Sequence, residues 1–447
     1  MKNFLRKRRR ISMRKKFLST VLALTMVATM AVGCGKSADT NSSAKKGDDK
    51  VTLKVFTNLP DRKNGQGLVE QQIIDEYMKE NKNVTIKVEA LDEEAYKTKF
   101  KAYSMEGMPD VVSIWGQPSF LDEVLDAGVL AELNEDDYKD YGFISGSLDG
   151  FKKDGKLYGL PRNTDVAGFY YNEKMFKENG WTVPKTYDEL LELAKKINDK
   201  GIIPLAMDGG DGWPMAVYLS DILYKLTGSD YSSTVSDAIK KGDFSDANIK
   251  KATEILKQTA DAKMFQKGYD SQDYGTAQNL FTNGQAAMFY MGSWEASMAL
   301  NEDIPKEIRE NIRVFTMPII DGGKGKATDI AAWNGGGYAV SSKSEHKEEA
   351  IKFLNYTYQP DKLSKYGWEN GVGMSAQDQS AYMTGKETKL QMQFVDAVNN
   401  ATSLSGTPIN DCGPSTFKTS IESEIQSVSN GSKSVDDFLK TIGDSCK

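Results

Sequence analysis

The stretch VTLKVFTNLPDRKNGQGLVEQQIIDEYMKENKNVTIKVEAL, residues 51–91, contains three successive patterns of apolar residues. Its first six residues alternate apolar and polar side chains, and residues 84–88 do so again, as in half-buried strands. Between these segments Val69, Ile73 and Tyr77 recur four residues apart, which predicts an amphipathic helix. Strand, helix and strand in this order form a βαβ unit, and this favours a parallel sheet in an α/β protein.

Further elements are predicted along the chain. The helix in KTYDELLELAKKINDKG begins after Thr186, which forms a capping box with Glu189, and ends at Gly201. The remaining predicted elements are a strand covered on both faces in PDVVSIW (109–115), strands in AAMFYMGSW (286–294) and GGGYAV (335–340), a helix in SEHKEEAIKFLNYTY (344–358), and a mostly helical C-terminal part from about Leu363.

The N-terminus has the pattern of a secretory signal. Residues 1–16 carry nine positive charges, and residues 17–32 are uncharged and mostly apolar. This apolar run is shorter than the ~20 residues that a membrane-spanning helix needs. Ala31-Val32-Gly33-Cys34 resembles a bacterial lipobox, so we expect a lipoprotein signal peptide over 1–33 and lipidation of Cys34. Residues 34–50 are rich in Ser, Asp, Asn, Lys and Gly and predict a flexible tether.

Size and charge limit what the remaining chain can do. Removal of residues 1–33 from the 447 leaves 414, which is too long for one ordinary core and predicts two lobes. The net charge of −6 includes the nine positive charges of the signal, so the rest carries −15. Such an acidic chain disfavours nucleic acid as a partner. It would also be repelled by anionic lipid, so we expect membrane contact only through the lipid anchor.

Common catalytic and cofactor motifs are missing from the sequence. His346 is the only histidine, which excludes His-rich metal sites and any Ser-His-Asp or Cys-His set that does not use it. DGGKGKATD (321–329) lacks the end of a phosphate loop, and NEDDYKD (134–140) lacks the residue order of a calcium loop. We therefore expect no metal, no cofactor and no enzyme activity. Paired carboxylates of the kind that cleave sugars remain open among the 63 acidic residues.

Two cysteines remain besides Cys34. Cys412 and Cys446 would lie outside the cell, where disulfides persist. Both a disulfide between them and two free thiols are compatible with the sequence.

The tryptophans point to a binding site. Four of the six, Trp115, Trp181, Trp213 and Trp368, directly adjoin a glycine, and the other two lie one residue from one. Aromatic residues in loops at strand ends can line a cleft, and their flat faces suit the apolar faces of sugar rings. The alternative is that each tryptophan covers a loop, and we interpret Trp181 in this structural way.

Several segments together resemble one protein family. Residues 154–197, DGKLYGLPRNTDVAGFYYNEKMFKENGWTVPKTYDELLELAKKI, carry the most specific resemblance. Three further segments resemble segments of the same family and occur in the same order. They are MPDVVSIW (108–115), FTNGQAAMFYMGSWE (281–295) and WNGGGYAVSSKSEHKEEAIKFLNYTY (333–358). The chain is similar to family 1 extracellular solute-binding proteins of the maltodextrin-binding type, which serve ABC importers of sugars and oligosaccharides.

The resemblance implies a two-lobe α/β fold of the periplasmic-binding-protein type. Each lobe would hold a mainly parallel sheet flanked by helices, with the ligand cleft at the hinge. The chain would cross between lobes near residues 162–168, 333–338 and 358–363. These crossings divide the chain into lobe one, 51–162 plus 336–360, and lobe two, 166–332 plus 364–447.

The resemblance also implies a set of ligand contacts. Asp165 falls where related sugar binders have an acidic contact, and Trp294 where they have a stacking aromatic ring. The substrate-binding residues that we predict are Asp61, Arg62, Trp115, Gln117, Asp165, Asp211, Trp213, Trp294, Trp333, Asn334 and Trp368. The run Gly335-Gly336-Gly337 departs from many relatives, and it either lets the backbone approach the ligand or eases the hinge.

The sequence thus predicts a monomeric, lipid-anchored receptor on the extracellular face of the cell membrane, in a Gram-positive bacterium. It would capture a carbohydrate, expected to be an oligosaccharide, and deliver it to the transmembrane subunits of an ABC permease. Two alternatives are a surface lipoprotein that degrades glycans and a ligand-sensing adaptor with the same fold. Polyamine or peptide ligands would also suit an acidic or aromatic cleft.

Overall fold

The computed structural model describes residues 50–447. The predicted signal peptide, the lipidation of Cys34 and the tether up to residue 49 lie outside the described residues. The strands of the described chain are β1 Val51–Thr57, β2 Val84–Ala90, β3 Val111–Trp115, β4 Lys152–Lys153, β5 Lys156–Leu157, β6 Leu160–Pro161, β7 Thr164–Asn172, β8 Ile203–Ala206, β9 Ala286–Gly292, β10 Ile312–Phe315, β11 Asp329–Ile330, β12 Ala332–Asn334, β13 Gly336–Val340 and β14 Ser403–Leu404.

The helices surround these strands. Those of the described chain are α1 Gly65–Glu80, α2 Glu93–Glu106, α3 Pro118–Asp126, α4 Glu173–Asn179, α5 Tyr187–Asn198, α6 Trp213–Thr227, α7 Tyr231–Lys241, α8 Ala247–Asp261, α9 Tyr274–Thr282, α10 Lys306–Arg309, α11 Lys347–Thr357, α12 Leu363–Glu369, α13 Lys389–Asn399, α14 Ser415–Ser429 and α15 Val435–Asp444.

Lobe one is built on a five-stranded sheet with the order β2-β1-β3-β13-β6. β1 is parallel to β2, with Val51 opposite Val84, and it is also parallel to β3. The predicted βαβ unit is therefore confirmed, and α1 buries the predicted face with Val69, Ile73 and Tyr77. β13 returns from the far end of the chain and pairs antiparallel with β3 and β6.

Lobe two is built on a second sheet with the order β10-β7-β9-β8, and β12 also pairs with β7. Only β8 and β9 are parallel, while β7 runs antiparallel to β9, β10 and β12. The expectation of a mainly parallel sheet is therefore wrong for this lobe. The reason is that the long strand β7 enters from lobe one and runs opposite to all three of its neighbours. The two-lobe α/β fold itself is confirmed.

Helix α5 shows how local sequence sets an element. The Thr186 side chain accepts the backbone N–H of Glu189 at 3.2 Å, as a helix cap does. The Glu189 carboxylate accepts the N–H of Lys185 at 2.7 Å instead of that of Thr186, so only half of the predicted capping box forms. Leu190 and Ile197 are fully buried on the predicted face.

The third crossing lies later in the chain than the sequence predicts. Leu363 and Val372 are buried in the core of lobe one, so α12 packs there and not in lobe two. Tyr366 of this helix also donates its hydroxyl to Glu76 of α1 at 2.7 Å. The chain reaches the core of lobe two with α13, where Leu390 is fully buried.

The two C-terminal cysteines are free thiols in the structure. The Cys412 thiol donates to the carbonyls of Thr407 and Pro408, both at 3.3 Å. The Cys446 thiol, just after α15, donates to the carbonyl of Ile442 in that helix at 3.5 Å. Each thiol thus has its partner within its own segment.

Within residues 50–447, no helix has the length and apolar character needed to cross a membrane.

Candidate functional site

A cleft of about 1140 Å³ opens between the two lobes. Lobe one lines it with the loop after β1, the start of α2 and the end of β3. Lobe two lines it with the starts of α6, α9 and α14 and with the segment after β9. The crossing strands form its base through Arg162, Asn163, Asp165 and Trp333. A ligand in this cleft would contact both lobes and the connection between them.

The connection is a pair of adjacent crossing strands. β7 and β12 run side by side, with Trp333 opposite Asp165. The N–H of Gly335 donates to the carbonyl of Asn163 at 2.9 Å, and the N–H of Arg162 donates to the carbonyl of Gly336 at 2.7 Å. These bonds tie the two crossings into one narrow hinge at the base of the cleft.

Two of the three glycines of the hinge are needed for space. A Cβ on Gly335 would lie 2.4 Å from the Asn163 amide nitrogen and 2.5 Å from an Asp165 carboxylate oxygen. A Cβ on Gly337 would lie 2.1 Å from the carbonyl oxygen of Leu160. The close approach is therefore to the protein's own side chains and backbone, which favours the hinge interpretation of this run.

Asp165 is a buried carboxyl at the base of the cleft. It is 6% exposed and accepts a hydrogen bond from the Asn163 side chain. Burial raises the pKa of Asp165 from 3.8 to about 8, against the opposing effects of the Arg162 guanidinium and the Asn163 amide. A carboxyl in this state holds a proton near neutral pH and can then donate as well as accept.

Lobe two presents an aromatic wall to the cleft, made of Trp213, Tyr274, Trp294 and Trp333. The Trp213 and Tyr274 rings stack at 6.0 Å with an interplanar angle of 26°. Trp294 lies 6.0 Å from Trp213 at 51° and 6.3 Å from Trp333 at 69°. Rings at these distances support one another and form one continuous aromatic surface along the cleft.

The position of Trp294 depends on the glycine two residues before it. A Cβ on Gly292 would lie 1.9 Å from a carbon of the Trp294 ring, so the indole lies directly on the glycine backbone. Gly292 ends β9, and the chain turns there towards the cleft. In the sequence Gly-Ser-Trp, the missing side chain of the glycine thus lets the tryptophan ring pack back against the end of the strand.

Tyr274 is a cleft residue that the sequence analysis missed. Its hydroxyl accepts the indole N–H of Trp294 at 2.8 Å and donates to the carboxylate of Glu295. Tyr274 is one of 20 tyrosines and lies in no motif, so nothing in the sequence distinguishes it.

Asp211 lies beside this wall. It accepts the backbone N–H of Tyr274 at 3.4 Å and donates its own N–H to Asp208 at 3.1 Å. Asp208 is fully buried, and burial raises its pKa to about 8. Asp211 thus helps to fix the start of α9, which carries Tyr274.

Lobe one presents a polar wall with one tryptophan, defined by Asp61, Glu93, Glu94, Lys97 and Trp115. Trp115 packs edge-on against the buried Tyr96 and the half-buried Phe120, and the Lys97 ammonium lies 5.8 Å from its ring centre. Lys97 pairs with Glu93 and Glu94 at 2.7 and 2.8 Å. Asp61 accepts the backbone N–H groups of residues 63 and 64. The charges of this wall already have partners within the protein.

Eight of the eleven residues predicted to bind substrate line this cleft: Asp61, Trp115, Gln117, Asp165, Asp211, Trp213, Trp294 and Trp333. Gln117 donates its side-chain N–H to the carbonyl of Asn334 at 2.7 Å and so joins lobe one to the hinge. The roles of all eight in binding stay predictions.

The structure places Arg62, Asn334 and Trp368 away from the cleft surface. Arg62 turns back to α1, where it pairs with the Glu70 carboxylate. Asn334 contributes its backbone to the hinge, and its side chain lies near Gly150 of lobe one. Trp368 is 5% exposed, and its indole N–H donates to the Glu387 carboxylate at 3.2 Å.

A second set of contacts joins the lobes outside the crossings, and we call it the rim contacts. The Ser119 hydroxyl of α3 donates to the Asp411 carboxylate at 2.7 Å, and the Ser415 hydroxyl of α14 donates to Glu123 of α3. Lys418 pairs with the same Asp411 carboxylate at 2.5 Å. These residues line the cleft, so the rim contacts border the space that a ligand would fill.

Among residues 50–447, no group of three or more His, Cys, Asp or Glu side chains is arranged to hold a metal ion. Acidic residues of the cleft such as Asp61, Glu93 and Glu295 instead accept hydrogen bonds or pair with lysines.

Comparison with known proteins identifies relatives over most of the chain. The chain is 30% identical over 357 residues to the multiple sugar-binding protein of Streptococcus mutans, covering 77% of this chain and 79% of that protein. It is 23% identical over 350 residues to the galactooligosaccharide-binding protein of Bacillus subtilis, covering 75% and 76%.

Solved structures share the fold. A protein from a structural study of xylan utilization by the thermophilic bacterium Caldanaerobius polysaccharolyticus superposes with a TM-score of 0.80 at 25% identity, covering 88% of this chain and 99% of that one. The family model described as bacterial extracellular solute-binding protein matches residues 72–371. With two lobes, a cleft at their hinge and this match, the chain belongs to the family of bacterial extracellular solute-binding proteins.

Proposed function

We propose that this protein is the lipid-anchored substrate-binding subunit of an ABC importer, and that it captures an oligosaccharide in the cleft between its lobes. The observation that carries the proposal is the aromatic wall, Trp213, Tyr274, Trp294 and Trp333, which faces a polar wall across one cleft. Sugar rings have apolar faces and polar edges, so a cleft with one aromatic and one polar wall suits them.

The size of the cleft supports an oligosaccharide over a single sugar. Its volume of about 1140 Å³ exceeds the roughly 300–1,000 Å³ typical of small-molecule pockets. A chain of several sugar units would fill this space and contact both lobes at once.

Capture follows from contact with both walls. A ligand that touches lobe one and lobe two binds the closed arrangement more tightly than the open one, so it shifts the population towards closure. The hinge of paired crossing strands would concentrate this motion at residues 162–166 and 334–337. The proposed function is to bind and release a ligand, in keeping with a family of binding proteins.

Delivery to a permease and anchoring at the outer face of the membrane complete the proposal. Support comes from the extracellular family and from the pattern around Cys34, which resembles a lipidation site. Two or more acyl chains on one cysteine would hold the protein stably at the membrane, whereas a single chain would not.

Thermal melting across a panel of mono- and oligosaccharides tests the proposal. A ligand at ~1,000 times its dissociation constant adds roughly 4 kcal/mol to the free energy of unfolding. We expect one related set of oligosaccharides to raise the melting temperature and to be recovered uncleaved. A consumed glycan would favour a glycan-degrading enzyme. No shift with any sugar, together with a shift by polyamines or peptides, would contradict the carbohydrate proposal.

A further inference from the structure

The hydroxyl of Tyr274 links the aromatic wall to a buried carboxylate. It accepts the Trp294 indole N–H at 2.8 Å and donates to Glu295, while the Tyr274 ring stacks on Trp213 at 6.0 Å. One side chain thus holds two tryptophans by two different interactions. The indole N–H of Trp294 already has its partner within the protein, so Trp294 offers a ligand only its ring face.

Glu295 is fixed on both of its oxygens. One accepts the Tyr274 hydroxyl, and the other accepts the Gln278 side-chain N–H at 2.7 Å. Glu295 is only 9% exposed. Burial, followed by the charge of Glu295, raises the pKa of Tyr274 well above 10, so the hydroxyl keeps its proton and donates. A buried acceptor with two donors gives the hydroxyl one preferred orientation.

These bonds form a chain from α9 to the segment after β9. Gln278 and Tyr274 lie one turn apart on α9, and Glu295 directly follows Trp294. The ring of Trp294 is therefore held from three directions: by the Gly292 backbone beneath it, by neighbouring rings, and by the Tyr274 hydroxyl at its nitrogen.

We infer that Tyr274 and Glu295 are positioning residues for sugar binding, which act by holding the Trp294 indole at the tilt that its ligand requires. The inference rests on the proposed function, because it concerns how the same cleft recognises its glycan. A stacking ring that is free to rotate loses entropy when it binds, whereas a fixed ring does not. The pair thus raises affinity through Trp294.

Two measurements on Tyr274→Phe test the inference. The variant keeps the ring on Trp213 but loses the hydroxyl. We expect glycan affinity to fall roughly fivefold, as for one side chain that must be immobilised when the ligand binds. We also expect a weaker indole signal in near-ultraviolet circular dichroism of the free protein, because Trp294 is no longer held.

Tyr231→Phe is the matched control. Tyr231 is also a buried tyrosine of lobe two, with a hydroxyl that donates to the carbonyl of Thr407 at 3.2 Å. It lies outside the cleft lining, so its loss should leave both glycan affinity and the indole signal unchanged. Equal losses of affinity in the two variants would show a general effect on folding and would overturn the inference.

Glu295 provides a second, independent pair of variants. Glu295→Gln keeps an oxygen that can accept the Tyr274 hydroxyl, and we expect it to retain most of the affinity. Glu295→Met keeps the length but has no such oxygen, and we expect it to behave like Tyr274→Phe. Identical behaviour of the two Glu295 variants would contradict the inference.

The spectrum of the free protein separates this inference from the proposed function. If the unaltered protein binds no glycan, the proposed function fails, and the inference about sugar binding fails with it. If glycan binds but Tyr274→Phe leaves both the affinity and the indole signal unchanged, only the positioning inference fails.

Discussion

The two walls of the cleft differ in the hydrogen bonds and ion pairs that their side chains already make within the protein. On the wall of lobe two, Trp213, Trp294 and Trp333 contact one another and present ring faces. On the wall of lobe one, Asp61 and Lys97 are engaged with their own neighbours. Ring faces have no such competing bonds, whereas the polar groups must exchange existing partners for a ligand.

This difference separates affinity from selectivity. Burial of apolar surface gives a net gain in free energy, whereas exchange of one hydrogen bond for another gives little. We therefore expect lobe two to supply most of the binding free energy. Lobe one would select among sugars by the positions of its hydrogen-bond donors and acceptors. These groups would reach the ligand only when the lobes close.

The largest expected effect is the loss of a ring from the aromatic wall. Trp294→Ala should cost about 2 kcal/mol or more of binding free energy, as for a central residue of an interface. This corresponds to roughly thirtyfold weaker binding in a calorimetric titration with the glycan that stabilises the protein.

Trp115→Ala on the wall of lobe one is the matched variant. It removes the same side chain, and we expect a smaller loss of about 1 kcal/mol, roughly fivefold. Equal losses in the two variants would contradict the assignment of affinity to lobe two.

A second effect, on the free energy of unfolding, is expected when the hinge between the walls is distorted. Gly335→Ala places a Cβ 2.4 Å from Asn163, which must then move. We expect a loss of about 1–3 kcal/mol in the free energy of unfolding by denaturant, as for other overpacked sites. Gly367→Ala is the control, because its Cβ would have no neighbour closer than 3.9 Å. A stability loss of the same size in Gly367→Ala would remove the steric argument.

The next effect is a pH dependence that originates at the base of the cleft. Because the pKa of Asp165 is raised from 3.8 to about 8, the folded state binds more protons than the unfolded state between these values. The contribution of Asp165 to stability is therefore fully present below about pH 4 and is lost as pH rises through 8, with a slope of up to about 1.4 kcal/mol per pH unit. Arg162 and Glu93 are the charged groups that also act on it.

Asp165→Asn should flatten this part of the stability profile. The measurement is the free energy of unfolding of both proteins at several pH values between 5 and 8. Other buried carboxyls, such as Asp208, affect both proteins alike, so the difference between the two profiles isolates Asp165. Parallel profiles would show that Asp165 is ionised throughout.

The smallest effect is expected at the rim contacts. Ser119→Ala removes one hydroxyl bond between the lobes, worth about 1 kcal/mol, and should weaken glycan binding roughly fivefold because the closed arrangement loses that bond. Ser233→Ala removes a similar bond within α7, to the carbonyl of Asp230 at 2.9 Å, and should leave affinity unchanged. An unchanged affinity in Ser119→Ala would show that the rim contacts do not favour closure.

Local patterns in the sequence predicted much of the fold. The βαβ unit at residues 51–91 is visible because its periodicity is local, and the helix after Thr186 begins with its own cap. The antiparallel sheet of lobe two escaped prediction because β7 pairs with strands far along the chain. Sequence periodicity identifies a strand but does not identify its partners.

The candidate site likewise contains residues that local sequence patterns predict and residues that they do not. The positions of Trp213 and Trp294 in the cleft could be predicted because each lies within two residues of a glycine in a segment that reads as a turn. Tyr274 was missed because its importance lies in two hydrogen bonds that only the folded chain brings together. Trp368 has the same sequence signal as the others, but its ring is buried outside the cleft lining, where its indole N–H donates to Glu387.

The most direct test of the two-wall account is small-angle X-ray scattering of the protein with and without its stabilising oligosaccharide. We predict a smaller radius of gyration when the glycan is bound, because the ligand draws the wall of lobe one onto that of lobe two. Trp294→Ala should show no such change at the same glycan concentration. Calorimetric binding of the glycan with an unchanged radius of gyration would contradict capture by closure.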